Sequence, residues 1–132
     1  MYQLLSRDDF RNQVFSRDGH KCVVCGAPAR DAHHVLERKL WEDGGYYLEN
    51  GVSVCAKHHM EAEQTVISCE ELRRLASIES FPLPDHLVTD EEYDKWGNPI
   101  LPNGLRMKGE LFEEEFRKLF PILKKSKNMK RA

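Results

Sequence analysis

Between residues 22 and 63 the chain carries three of its four cysteines and four of its six histidines. They fall in short groups: Cys22-Val23-Val24-Cys25, Asp31-Ala32-His33-His34 and Cys55-Ala56-Lys57-His58-His59, with Glu63 following. Two thiolates separated by two residues can bite one ion, because the turn brings both sulfurs to one side, and Gly26 permits that turn. Cys55 and His58 repeat the spacing and supply the other half of a tetrahedral Cys3His site. Cys69 competes for the fourth place, but Ser68-Cys69-Glu70-Glu71 reads as a capping box opening a helix, which makes Cys69 a small buried or half-buried residue. His33, His34, His59 and Glu63 then remain. They could hold a second, catalytic divalent ion beside a histidine base.

The elements that must position these groups follow from periodicity. Asp31 to Leu36 reads as a short strand, Gly51 to Cys55 as a second with alternating valines, and His58 to Gln64 as a short helix. On that helix His58 and His59 point about 100° apart, so one can face the thiolates and the other a different site. Glu63 lies one turn beyond His59 on the same face, as a further ligand or a partner of one. Strict strand alternation sends His33 and His34 to opposite faces. Asp31 reads as a strand start or a ligand's partner. The connection from Glu37 to Asn50 is long, the kind that is often functional. Its Arg38 and Lys39 either clamp a phosphate or stay solvated, and Trp41, Tyr46 and Tyr47 either stack on bases or pack the loop.

Jointly these residues resemble the HNH nucleases, specifically members whose ββα-metal unit is stapled by two zinc knuckles. The match runs from about Phe15 to Glu63. It departs in having Cys55-x-x-His58 as the second knuckle and Leu36-Glu37 where a proline often follows the histidine strand. The resemblance implies an α+β chain with a ββα-metal core, a structural zinc on Cys22, Cys25, Cys55 and His58, and flanking helices. It implies His34 as general base, His33 and His59 as ligands of the catalytic ion, with Glu63 possible, and Asn50 as the middle asparagine that orients His34 or fixes the loop. It also implies that the strand twists or ends where His33 and His34 must meet one phosphate. DNA would be the substrate, cut to a 3′ hydroxyl and a 5′ phosphate. Imidazole-rich sites favour zinc, manganese or nickel, while magnesium prefers oxygen.

The whole chain sets looser bounds. Its 132 residues make one domain the default, with residues 1–80 as core and 81–132 as an extension packed on it. A formal net charge of −2 confines phosphate attraction to local patches. No signal-peptide run or membrane span is read, so a cytoplasmic protein is expected, where the cysteines suit zinc better than disulfides. Ser6-Arg7-Asp8-Asp9 starts a helix that buries Phe10, Val14 and Phe15 and stops near Gly19. Ser68 to Ile78 forms another, with Leu72, Leu75 and Ala76 on one face. Residues 94–104 are turn-rich and read as a hairpin-like flap. Glu110 to Leu123 is a helix striped by Phe112, Phe116, Leu119 and Phe120, before a basic tail, Ser126 to Ala132, with Lys127, Lys130 and Arg131. The rivals to a nuclease are a noncatalytic zinc module that binds nucleic acid or a protein, and a redox protein using Cys22 and Cys25.

Overall fold

A computed structural model describes residues 2–118. It is a mixed α+β chain with two small antiparallel sheets. Helix α1 spans Arg7–Arg17. Ser6 caps it by accepting a hydrogen bond from the Asp9 N–H at 3.1 Å, and Asp8 and Asp9 complement the dipole of the first turn. Its inner face is Phe10 and Val14; Phe15 is half-buried under the guanidinium of Arg11. The helix stops at Asp18, and Gly19 and His20 both turn left-handed.

Strands β1 (Asp31–His34) and β2 (Gly51–Val54) pair antiparallel, from Asp31 opposite Val54 to His34 opposite Gly51. Both are shorter than the sequence suggests. β1 ends at His34 because Asn50 takes over the next backbone groups. Its carbonyl accepts from Val35 N at 2.8 Å and its Oδ1 from Leu36 N at 3.1 Å. In β2 all four residues are buried rather than alternate ones, since both faces are covered. α1 lies on one side, where a Cβ on Gly51 would come within 2.6 Å of both Phe10 and Val14. The hydrophobic core lies on the other, built by Val52 and Val54 with Val35, Leu36, Ala62 and Leu72.

Helix α2 (Ala56–Glu63) follows β2 directly, with extended Cys55 as its N-terminal boundary, two residues earlier than expected. Helix α3 (Cys69–Leu75) is capped by Ser68, whose Oγ accepts from Glu71 N at 3.0 Å. The capping box is only half made, because the Glu71 carboxylate pairs with Arg74 instead. The helix ends three residues early, before left-handed Ser77. Leu72 and Ala76 are buried and Leu75 half-buried.

The hairpin expected within residues 94–104 is present, though its tip is buried rather than standing out as a flap. Strands β3 (Glu92–Tyr93) and β4 (Pro99–Ile100) make a hairpin whose tip is driven into the core. Fully buried Asp94 accepts from Trp96 N and Asn98 N, both at 2.9 Å, and from Arg106 at 2.8 Å. Trp96 is buried, and its indole N–H donates to Glu63 O at 2.9 Å. In the helical turns over 112–118 the buried face is Leu111 and Glu115, offset by one position from the Phe112–Phe116 stripe, and Phe116 is exposed. Leu119, Phe120, the rest of that helix to Leu123 and the tail Ser126 to Ala132 lie outside the described residues. Among the described residues no helix is long and apolar enough to cross a membrane.

Candidate metal centres

The first knuckle is a tight reverse turn. Cys22 N donates to Ala27 O at 2.7 Å and Gly26 N to Cys22 O at 2.9 Å, with Gly26 at φ +78°. Val23 N donates to Ser53 O at 2.9 Å, which ties the knuckle to β2. Cys55 and His58 stand at the start of α2. Cys22, Cys25, Cys55 and His58 are thereby brought together, with one donor atom from each lying within 4.8 Å of the others. Cys25 Sγ is 3.8 Å from Cys55 Sγ, and His58 Nδ1 is 3.5 Å from Cys22 Sγ and 3.2 Å from Cys55 Sγ. Tetrahedral bonds of ~2.3 Å to sulfur and ~2.05 Å to nitrogen would set sulfurs ~3.8 Å apart and sulfur ~3.6 Å from nitrogen. Two of the three spacings meet those values, and the third is within ~0.4 Å. The quartet is therefore compatible with a structural metal. The backbone N–H of His58 holds the Cys55 thiol down at about 7, which favours the thiolate a metal needs. Cys69 stands apart, buried, its thiol donating to Val35 O at 3.4 Å.

His33, His59 and Glu63 form a second group of donor atoms within 4.8 Å of one another. Glu63 Oε1 is 3.3 Å from His59 Nε2 and 3.7 Å from His33 Nδ1. Asp31 Oδ2 lies 3.1 Å from the other nitrogen of His59, Nδ1, and so orients that ring from behind. His33 is 1% exposed, and neither of its ring nitrogens has a hydrogen-bond partner among the described residues. An unsatisfied buried nitrogen costs about 1–3 kcal/mol. His33 Nδ1 faces the Glu63 carboxylate, and one of the ring's nitrogens lies within 4.8 Å of a nitrogen of His59, so the donor set fits a divalent cation.

His34 turns to the other side of the strand. Its ring stacks on Phe10 at 4.5 Å between centroids and meets Tyr46 edge-on at 5.0 Å. Gly51 makes this possible, since a side chain there would displace Phe10. Yet His33, His34, His59 and Glu63 all line one open cavity of about 520 Å³. Strand alternation is satisfied and the rings still share a cavity because β1 ends at His34.

Charge in the cavity is strongly biased. Burial, aided by Lys95, pushes His33 well below the usual histidine range and takes His34 down to about 4. His59 is raised by its contact with Glu63 and then by Asp31. Burial alone would raise Glu63, but His59, Lys95, His33 and Lys118 hold it far below the ordinary carboxylate value.

Asn50 does not touch His34. Its amide donates to Leu36 O and Gly45 O, both at 3.2 Å, so of its two expected roles it takes that of fixing the loop. Trp41 packs in the core, whereas Tyr46 lines the cavity and accepts from Arg38 at 3.0 Å. Lys39 is paired with Glu114 and is no free phosphate clamp. Sequence reasoning missed Glu37, Lys95 and Lys118, which line the same cavity. Only Trp96 in a turn-rich stretch hinted that the hairpin tip is anchored. No known family model matches the chain, and neither a curated protein nor a solved structure matches it.

Proposed function

We propose that the chain is a metal-dependent endonuclease of the HNH kind, hydrolysing phosphodiester bonds of DNA through a ββα-metal unit of β1, β2 and α2. The reading is carried by fully buried, unpartnered His33, grouped with His59 and Glu63 and sharing a cavity with His34. Zinc on Cys22, Cys25, Cys55 and His58 would be structural, since four protein ligands leave no position for water. His33, His59 and Glu63 would hold the catalytic ion, which when bound neutralises charge developing on the phosphate.

The chain's own residues do the rest. His34 stays neutral at pH 7; its Nε2 is buried with no hydrogen-bond partner among the described residues, which leaves Nδ1 as the nitrogen open to the cavity. Held between Phe10 and Tyr46, the ring can take one proton from the attacking water. The water oxygen bonds to phosphorus, the bond from phosphorus to the 3′ oxygen breaks, the departing oxygen takes a proton from solvent water to become a hydroxyl, and His34 gives its proton back to solvent. Asp31 fixes which nitrogen of His59 faces Glu63. Arg7, Arg11 and Arg38 line the cavity and suit a polyanion.

The test is plasmid cleavage by the full chain with magnesium, manganese, nickel or zinc added. Cleavage with at least one ion, lowered about 10²- to 10⁴-fold in His34→Ala, is expected. Cleavage with none, or cleavage that His34→Ala leaves intact, overturns the proposal. A bare zinc module would hold one ion per chain, whereas the nuclease holds two, so metal counting separates them.

A further inference from the structure

Lys95, at the tip of the hairpin, is 3% exposed. Its ammonium pairs with Glu37, lies 3.5 Å from Glu63 Oε1 and sits 4.4 Å from the centre of the Trp96 ring. Oε1 is the oxygen that also faces His33 Nδ1 and His59 Nε2. A buried positive charge thus stands against the atom through which this donor set would attract a cation. Lys118 Nζ lies 3.4 Å from the other oxygen, Oε2. Counting histidines as neutral, five cationic and four anionic side chains line the cavity. A site dedicated to a divalent cation is ordinarily rich in acid instead.

The two lysines are not equivalent. The Lys118 side chain is 57% exposed and can swing into solvent when an ion arrives. Lys95 cannot. Its backbone N–H donates to Thr65 Oγ1 at 3.2 Å, its carbonyl accepts from Glu37 N at 2.9 Å, and Glu37 and Trp96 enclose its head.

We propose that Lys95 is a fixed counterweight to the divalent ion, holding it weakly until a phosphodiester adds negative charge, so that ion and substrate phosphate bind together. This rests on the ion-binding reading of His33, His59 and Glu63. Repulsion between a fixed ammonium and a doubly charged ion a few ångströms away outweighs any ordering of the Glu63 rotamer that Lys95 provides. Glu37 offsets only part of the effect, because Lys95 Nζ is 3.5 Å from Glu63 Oε1 whereas the Glu37 carboxylate is not among the donor atoms that lie within 4.8 Å of one another. A phosphate oxygen at the ion offsets the repulsion. By linkage, the factor by which phosphate tightens the ion is the factor by which the ion tightens phosphate. Lys95 acts here as a positioning residue, through the ion rather than on the reacting atoms.

The test is a calorimetric titration of manganese into zinc-loaded full-length protein, with and without dimethyl phosphate, a minimal phosphodiester. Lys95→Met should bind manganese about ten-fold more tightly than the wild type without phosphate, and Lys95→Arg within about two-fold of it. Lys95→Met strands Glu37 and can unfold the chain, so Glu37→Gln/Lys95→Met is the second variant, expected to bind at least about three-fold more tightly. Dimethyl phosphate should tighten manganese binding more in the wild type than in either methionine variant. Manganese binding in the double variant that is absent, equal to wild type or weaker overturns the proposal, as does an equal phosphate effect in all proteins. None of these readouts uses cleavage. An inactive protein would sink the nuclease reading and leave the titrations to decide this one. An active protein with flat titrations would sink only this one.

Discussion

Two clusters of side chains that could hold a metal ion meet on α2 through the neighbours His58 and His59, yet their surroundings are opposite. Cys22, Cys25, Cys55 and His58 supply four donors at spacings that close a tetrahedron, and they sit where a knuckle, β2 and α2 join. His33, His59 and Glu63 supply three donors, open onto a cavity, and are flanked by two ammonium groups that oppose a cation. The first arrangement lowers the free energy of the folded chain when metal binds. In the second, both ring nitrogens of His33 are buried without a hydrogen-bond partner among the described residues, a stability cost that an ion held by one of them would lower. Adjacent His58 and His59 serve the two through the 100° turn between neighbours on a helix.

The sharpest way to break this contrast is to remove one ligand from each cluster. Cys55→Ser, or a chelator strong enough to strip zinc, should lower the melting temperature by more than about 10 °C or leave no cooperative transition, since a structural zinc contributes about 10–16 kcal/mol. Replacing His33 with leucine should do the reverse in protein without the second ion. An apolar side chain of similar volume removes two orphaned nitrogens, and stability should rise by about 1–3 kcal/mol while manganese binding and cleavage vanish. Chemical denaturation of both variants measures this. If His33→Leu is as destabilised as Cys55→Ser, the two clusters are equally structural and the contrast is lost.

Acid titration sharpens the contrast further. His34 falls from 6.5 to about 4 on folding, and His33 also falls, so the native state binds fewer protons than the unfolded chain in that range. Stability therefore rises with pH from about 4 to 6.5 and is fully present above it. His34 alone accounts for about 3 kcal/mol lost by pH 4. Glu63, depressed in the native state, adds to the loss once pH falls below its ordinary value of 4.5. His59 is raised and acts with the opposite sign, its contribution present below 6.5 and lost as pH climbs through its native value. Denaturant melts of zinc-loaded protein across pH 4–7 should show the acid-side loss, and His34→Phe should reduce it. A flat profile would mean that the cavity is not dry enough to shift these rings.

Much of this was legible in the residues because short-range geometry dictates it. Knuckle spacing, the Ser6 and Ser68 caps, and the rotation from His58 to His59 all act within one or two turns of chain. Joint occupancy of one cavity by His33 and His34 was not legible from alternation, which puts them on opposite faces. It depends on Asn50 ending the ladder and on Gly51 admitting Phe10, both contacts across the sheet. The hairpin was legible and its burial was not, for a similar reason. Turn residues announce a reversal but not its burial, and only Trp96 reaching the Glu63 carbonyl shows that the tip enters the core. Lys95 was invisible because its meaning comes from Glu37 and Glu63, 58 and 32 positions away in sequence. Among the described residues of that last helix, Glu115 rather than Phe116 faces inward, because its carboxylate joins the Asn98–Asp94–Arg106 network, which no helical stripe could announce.

The smallest effect concerns Asp31, whose carboxylate supports the His59 ring from behind. Its Oδ2 is 3.1 Å from His59 Nδ1, and the opposite nitrogen faces Glu63. A carboxylate there favours the tautomer with a proton on Nδ1 and leaves Nε2 free to ligate. Asp31→Asn keeps the size but can offer its amide N–H to the same nitrogen, which would move the ring proton to Nε2. Manganese affinity should fall about ten-fold, at the low end for such partners, because Asp31 is about one-third exposed and water can take its place. The Cys3His quartet, with which Asp31 has no hydrogen bond or ion pair among the described residues, should keep any metal it holds and the melting temperature should not change. An unchanged manganese affinity would mean that the Glu63 carboxylate alone sets the His59 ring, and that the open cluster needs no outer support.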